Sequence, residues 1–139
     1  MIISWKGKIK PATTTTHVTA MWDFFPTFQQ LAGRPVTRSV DGISMLPLLM
    51  NKPPMDHPYL YWEFHEQGGK QAIRCMNWKL IKLNVTTGKV VTELYDIDKD
   101  PSEKNNVAAA NEAVVKKMET LMKQAHQKDN NWILLPGEK

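Results

Sequence analysis

Apolar positions along this chain keep one spacing up to about residue 57 and another after it. From about Thr19 to Ala32, Trp22, Phe25, Phe28 and Leu31-Ala32 recur at three- and four-residue steps, the spacing of one helical face. Pro26 cannot sit deep inside a helix. The pattern therefore predicts a break near Asp23, a main helix starting at Pro26 or Thr27, and a stop at Gly33. Ser44 to Met50 predicts one short helix, with Ser44 as its cap and Pro47 near its first turn. Residues 1–5 are apolar and β-branched and predict a short strand, turned at Lys6-Gly7-Lys8. Its abrupt start at Met1 is what a segment beginning within a domain shows. Pro11 to Thr16 and Asn51 to Pro58 read as linkers, and Val36 to Asp41 as a loop.

After residue 58 the period becomes two. Tyr59 to His65 puts Leu60, Trp62 and Phe64 on one face and Tyr59, Tyr61, Glu63 and His65 on the other. Further strands are expected at Gln71 to Cys75, Trp78 to Leu83 and Val90 to Ile97. Their turns are Gly68-Gly69, Met76-Asn77 and Thr86 to Lys89. Such short connections make neighbouring strands antiparallel. Val114, Val115, Met118, Leu121, Met122 and Ala125 form the apolar stripe of a last helix. Asn111 is its expected N-cap, Glu112 suits its positive pole, and Lys123 and His126 suit the other. The tetrad Trp132 to Leu135 is expected to dock rather than stay in water. The expected fold is α+β: a four-stranded antiparallel sheet packed by a C-terminal helix, preceded by a helical and loop segment. Residues 1–57 and 58–139 are expected to be separate parts.

Bulk properties narrow the function. With 139 residues the chain suffices for one ordinary core. The net charge of +4 is spread along the chain, so a nucleic-acid surface, which needs a concentrated basic patch, is not expected. No apolar run approaches the roughly 20 residues of a membrane span. The single Cys75 excludes an internal disulfide and alternates with Ile73, so it reads as a buried thiol. Asp96, Asp98, Asp100 and Glu103 lack the ligand number and the glycine-permitted turn of a calcium loop, and read as a strand end stopped by Pro101.

Five segments stand in order along the chain: Ile2 to Ile9, Asp23 to Gly33, Asp41 to Leu49, Phe64 to Ile81 and Glu93 to Ala108. Together they resemble the C-terminal part of sulfatases of the arylsulfatase type, within the alkaline-phosphatase-like superfamily. Ile2 to Ile9 resembles the strand and turn after their last active-site loop. Asp23-Phe24-Phe25-Pro26-Thr27, closed by Gly33, resembles their Asp-x-x-Pro-Thr helix. Asp41-Gly42-Ile43-Ser44-Met45-Leu46-Pro47-Leu48-Leu49 resembles their Asp-Gly-x-Ser-x-x-Pro-x-Leu turn. Phe64 to Arg74 and Trp78 to Ile81 resemble the following hairpin, and Glu93 to Ala108 their acidic C-terminal signature. The resemblance covers residues 1 to about 126.

It implies a sulfuric ester hydrolase acting on sulfate esters, sulfated sugars among them, of which this chain is a C-terminal fragment. Residues 1–57 are then a remnant of the large domain and 58–139 the C-terminal subdomain. The family's cofactors are calcium and a formylglycine made from a Cys/Ser-x-Pro-Ser-Arg motif. Cys75 is followed by Met76-Asn77-Trp78, so no cofactor, metal ligand or catalytic residue is expected on this chain, and it is expected to be inactive alone. His65, Glu66, Gln67, Lys70 and Arg74, at and beside the hairpin tip, are the expected contacts to sugar hydroxyls or anionic groups of the substrate. The implied partner is an N-terminal catalytic domain. Without it, Trp22, Phe24, Phe25 and Phe28 are expected to leave an apolar patch, which self-association or exchange of residues 1–50 between copies would hide. The other readings are a stand-alone carbohydrate- or protein-binding module and a structural remnant. Family members are often periplasmic, secreted or lysosomal, and the location of this chain stays open.

Overall fold

Turns between residues 58 and 97 are too short for crossovers, so each strand pairs with the one before it. The computed structural model describes residues 1–35 and 40–138. Its strands are β1, Leu60–Phe64; β2, Lys70–Cys75; β3, Trp78–Leu83; and β4, Val91–Asp96. They form one antiparallel sheet in the order β1-β2-β3-β4. Three α-helices accompany them among the described residues: α1, Phe24–Leu31; α2, Leu46–Leu49; and α3, Glu112–Ala125. The chain divides into two compact units, Met1–His57 and Pro58–Lys139. No described helix is long and apolar enough to cross a membrane.

Register decides which face of the sheet is the core. Tyr61 opposes Ile73, Ile73 opposes Leu80, and Leu80 opposes Leu94. That row meets Met118 and Met122 of α3 in the main cluster, with Tyr61, Val114, Val115 and Leu121 at its margin. Burying one such side chain is worth about 1.5–3 kcal/mol. Trp62 and Phe64 point to the opposite face and stay exposed.

β4 ends in the acidic turn. The N–H groups of Lys99 and Asp100 donate to the Asp96 carbonyl, and the Asp100 carboxylate accepts from the N–H groups of Lys104 and Asn105. Asn106 and Val107 then cover the free edge of β4. The Leu94 N–H donates to Asn106 Oδ1, and the Val107 N–H donates to the Leu94 carbonyl. An uncovered edge would invite pairing with another chain. Asn111 stands at the N-cap of α3, but its side chain does not cap it: Nδ2 donates to the Val107 carbonyl at 2.9 Å.

Among its described residues the first unit has helices and no strand. The strand expected at residues 1–5 does not form: among the described residues the sheet holds only β1 to β4, and residues 1–5 have no ladder partner to take their hydrogen bonds. The turn after it does form, with Lys8 and Ile9 N–H both donating to the Trp5 carbonyl at 3.0 Å. The break near Asp23 is a 3-10 turn, Met21–Asp23, that runs directly into α1. The helix starts at Phe24 rather than at Pro26, and Pro26 fits its first turn, where no N–H bond is lost. Gly33 closes it: Arg34 N–H reaches Gln29 O at 2.9 Å and Gly33 N–H reaches Gln30 O at 3.1 Å. Ser44 lies one residue ahead of the N-cap of α2, and its Oγ accepts the Leu46 N–H at 3.2 Å. Of the expected loop from Val36 to Asp41, residues 36–39 lie outside the described residues.

Candidate functional site

His65 to Gly69 link β1 to β2 and make the hairpin tip. Gln67, Gly68 and Gly69 all have positive φ. Gly69 is required there: a Cβ on it would stand 2.6 Å from Thr86 Cγ2. That close approach seats the tip on the next turn, where Val85 N–H donates to the Gly69 carbonyl and Thr86 N–H to the Gly68 carbonyl. Lys70 Nζ donates to Gln67 Oε1 at 2.8 Å and lies 5.4 Å from the centre of the Phe64 ring. Glu66 is exposed beside them. His65, Glu66, Gln67 and Lys70 thus share one end of the sheet. Arg74 does not join them. It stands on the same face as Lys70, but four residues along β2, or about 13 Å away.

The C-terminal tail returns to this tip. Leu134 is buried, and a Cβ on Gly69 would stand 3.3 Å from its Cδ1. Trp132 meets the His65 ring edge-on, with ring centres 4.9 Å apart, and its Nε1–H donates to His65 Nδ1 at 2.6 Å. The docking expected of the tetrad Trp132 to Leu135 is therefore done by Leu134, while Trp132 stays 65% exposed.

A second polar cluster sits on the helix side of β1. Glu63 Oε1 accepts from Tyr61 Oη–H at 2.5 Å and faces His126 Nδ1 at 2.5 Å. His126 Nε2 faces Glu138 Oε1, and Glu138 Oε2 accepts the Leu135 N–H at 2.9 Å. Gln71 Nε2 donates to Tyr61 Oη at 2.6 Å. Burial pushes the Tyr61 phenol far above its ordinary range, and Glu63 adds to it, so Tyr61 stays a donor. Burial alone would lower His126, but Glu63 and Glu138 outweigh it and raise the imidazole. The Leu135 N–H, then His126, hold Glu138 below the usual carboxylate range against its own burial. The sequence pattern placed His126 only at the helix pole. The alternation that puts Glu63 on the Tyr61 face was legible, but nothing in it showed that Glu138 folds back.

The first unit has its own buried pair. Asp23 Oδ1 accepts the Ile43 N–H at 2.9 Å and faces His57 Nε2 at 2.8 Å, and Oδ2 accepts the Ala20 N–H at 2.7 Å. Thr27 Oγ1 donates to the Asp23 carbonyl and accepts the Met45 N–H. These partners account for the Asp-x-x-Pro-Thr motif as a structural joint.

Calcium and formylglycine find no fitting residues here. Cys75 lacks the Cys/Ser-x-Pro-Ser-Arg context, and among the described residues no group of three or more His, Cys, Asp or Glu could hold a metal ion. Asp96 is engaged by Asn77 and Lys99, and Asp100 by backbone N–H groups.

Residues 1–129 match the family described as N-sulphoglucosamine sulphohydrolase, C-terminal. The chain is 33% identical over 153 aligned residues to the N-acetylglucosamine-6-O-sulfatase of Bacteroides thetaiotaomicron, a similarity covering 100% of this chain and 26% of that protein. Among solved structures it is similar to Ps i-CgsB, with a TM-score of 0.70 and 30% identity over 86% of this chain and 27% of the other. It is also similar to BT4656, solved in complex with its substrate D-glucosamine-2-N,6-O-disulfate, with a TM-score of 0.61 and 28% identity over 73% and 22%. The chain spans about a quarter of the length of these relatives. The match along residues 1–129 and the identity across the whole chain lead to one conclusion: the chain belongs to the C-terminal family of N-sulphoglucosamine sulphohydrolase, a family of sulfatases.

Proposed function

We propose that the chain serves as the C-terminal subdomain of a sulfuric ester hydrolase that acts on sulfated sugars. In this reading residues 1–57 belong with the large catalytic domain, and residues 58–139 form the subdomain that shapes the substrate end of the cleft. The observation that carries it is the similarity of the entire chain to about a quarter of a 6-O-sulfatase of N-acetylglucosamine, together with the match of residues 1–129 to a family of C-terminal sulphohydrolase segments. The nucleophile and the metal come from the larger part. The hairpin tip supplies recognition: Lys70 and Gln67, already bonded to each other, with His65 and Glu66, meet sugar hydroxyls and sulfate, and Arg74 meets an anionic group further along β2. Charge-assisted hydrogen bonds of this kind fix orientation as well as affinity.

The test has two arms. The isolated chain, given calcium and an aryl sulfate, is expected to release no sulfate above background. The catalytic part of the Bacteroides relative, joined to this chain in place of its own matching quarter, is expected to lose affinity for sulfated sugar when Lys70→Ala or Arg74→Ala is introduced. Turnover by the isolated chain, or unchanged KM in both variants of an active chimera, would overturn the assignment.

A further inference from the structure

Both ring nitrogens of His126 face carboxylate oxygens, Glu63 on one side and Glu138 on the other. A carboxylate only accepts, so a single form of the ring satisfies both contacts: the imidazolium, with two N–H donors. The charged and titratable groups that face it are Glu63 and, behind it, Tyr61 from β1, and Glu138 from the tail. Gln71 from β2 completes the set, and Lys123 lies on the preceding turn of α3 itself. The Glu138 carboxylate has a second task. Its Oε2 accepts the Leu135 N–H, which closes the turn that seats Leu134 beside Gly69. Two residues before Leu134, Trp132 reaches His65. The indole N–H is a donor only, so His65 Nδ1 must accept it, and the ring proton is left on Nε2. That Nε2 lies 3.4 Å from the Trp132 carbonyl, a long contact that a better acceptor can replace.

We propose that residues 127–138 are a strap, latched by the protonated His126 between Glu63 and Glu138, and that the strap, through Trp132, fixes the His65 ring of the hairpin tip in its Nε2–H form. As pH rises and His126 loses a proton, one carboxylate loses its donor beside another carboxylate, and the latch opens. As pH falls, Glu138 keeps its charge into the acid range, because the Leu135 N–H and His126 both favour the carboxylate. The latch is therefore closed from mildly acidic to neutral pH and opens on the alkaline side of the ordinary imidazole range. Its effect on a bound sugar rests on the proposed role of the tip in the substrate cleft. In that role Trp132 is a positioning residue that leaves His65 Nε2–H as the donor.

The experiment uses the full chain, labelled with nitrogen-15, with histidine side-chain spectra and amide hydrogen exchange recorded together. In the wild-type chain at neutral pH, His126 is expected to show two protonated nitrogens and His65 the Nε2–H tautomer. Glu138→Gln is expected to speed exchange at Leu134 and Leu135 by roughly tenfold, the loss of a charge-assisted contact, and to mix the His65 tautomers. Trp132→Phe is expected to mix the His65 tautomers while His126 and the sheet amides stay as they were. Raising the pH on the wild-type chain is expected to reproduce the Glu138→Gln exchange pattern. An unchanged His65 tautomer in Trp132→Phe, or Leu135 exchange indifferent both to Glu138→Gln and to pH, would overturn the strap. No substrate enters these readings, so a failed strap and a failed cleft assignment give different results.

Discussion

His57 Nε2 lies 2.8 Å from Asp23 Oδ1, and both side chains are buried. The residues are 34 positions apart, and the same carboxylate also holds the N–H groups of Ala20 and Ile43. One side chain thus ties the entry to α1, the turn before α2 and the end of the first unit, where the described residues form no sheet to do so. Asp23→Ala removes every one of these acceptors and leaves a buried imidazole and two half-buried N–H groups unmet. The expected cost is about 3 kcal/mol or more. Hydrogen exchange across residues 20–57 measures it, and protection of the β2 and β3 amides is expected to change little.

Gly42 has an ordinary backbone angle, yet a Cβ on it would stand 2.2 Å from the Trp22 carbonyl oxygen. Gly88 has φ +73° and open space around it. Gly42→Ala must displace backbone and is expected to cost more than 2 kcal/mol. Gly88→Ala meets only the left-handed penalty of about 1 kcal/mol. Urea denaturation of the two variants ranks them, and equal midpoints would contradict the close packing of Gly42.

Of the four aromatic residues expected in an apolar patch, Phe25 and Phe28 on α1 are 56% and 61% exposed, with Leu31 beside them at 41%, while Trp22 and Phe24 are half-buried. The faces of the exposed residues contribute little to the fold of this chain. Phe25→Ser with Phe28→Ser is expected to shift stability by no more than about 1 kcal/mol. The same pair is expected to reduce binding of an apolar fluorescent dye, and in the chimera to weaken association with the catalytic part. A large loss of stability in the isolated chain would show that these rings are packed.

Asp96 is held below the ordinary carboxylate range by the Asn77 side-chain amide and then by Lys99. Its carboxylate therefore stabilises the fold above the unfolded value, and that contribution is lost as pH falls through the lower folded value. The wild-type chain is expected to lose stability on acidification towards about pH 3, and Asp96→Asn to show a flatter acid limb. Denaturation midpoints measured along that range give the comparison, and parallel limbs would contradict it.

Local signals carried most of the fold. Period-two alternation and short turns are properties of neighbouring residues, so the four strands and their order were legible, as was α3 from its stripe. The strand expected at residues 1–5 failed for a nonlocal reason: its hydrogen bonds needed a partner that no sequence window shows. The start of α1 was displaced because Pro26 is harmless anywhere in the first turn, which spacing alone does not resolve. At the candidate site, the tip residues could be named from the Gly68-Gly69 turn. The contacts that hold them, Trp132 to His65 and Glu138 to His126, join residues 67 and 12 positions apart. They depend on where the tail lands, and a polar tail gives no periodic signal of its landing. Asp23 looked like one motif position, while its partners are scattered from Ala20 to His57.

The central claim is that this chain completes the substrate cleft of a sulfatase without supplying its nucleophile. The most direct measurement is sulfate release from N-acetylglucosamine 6-sulfate by the chimera in which this chain replaces the matching quarter of the Bacteroides 6-O-sulfatase. Turnover is expected from the chimera and from neither half alone. A folded, soluble chimera with its formylglycine formed and calcium bound, yet with no sulfate release on this or other sulfated sugars, would contradict the account.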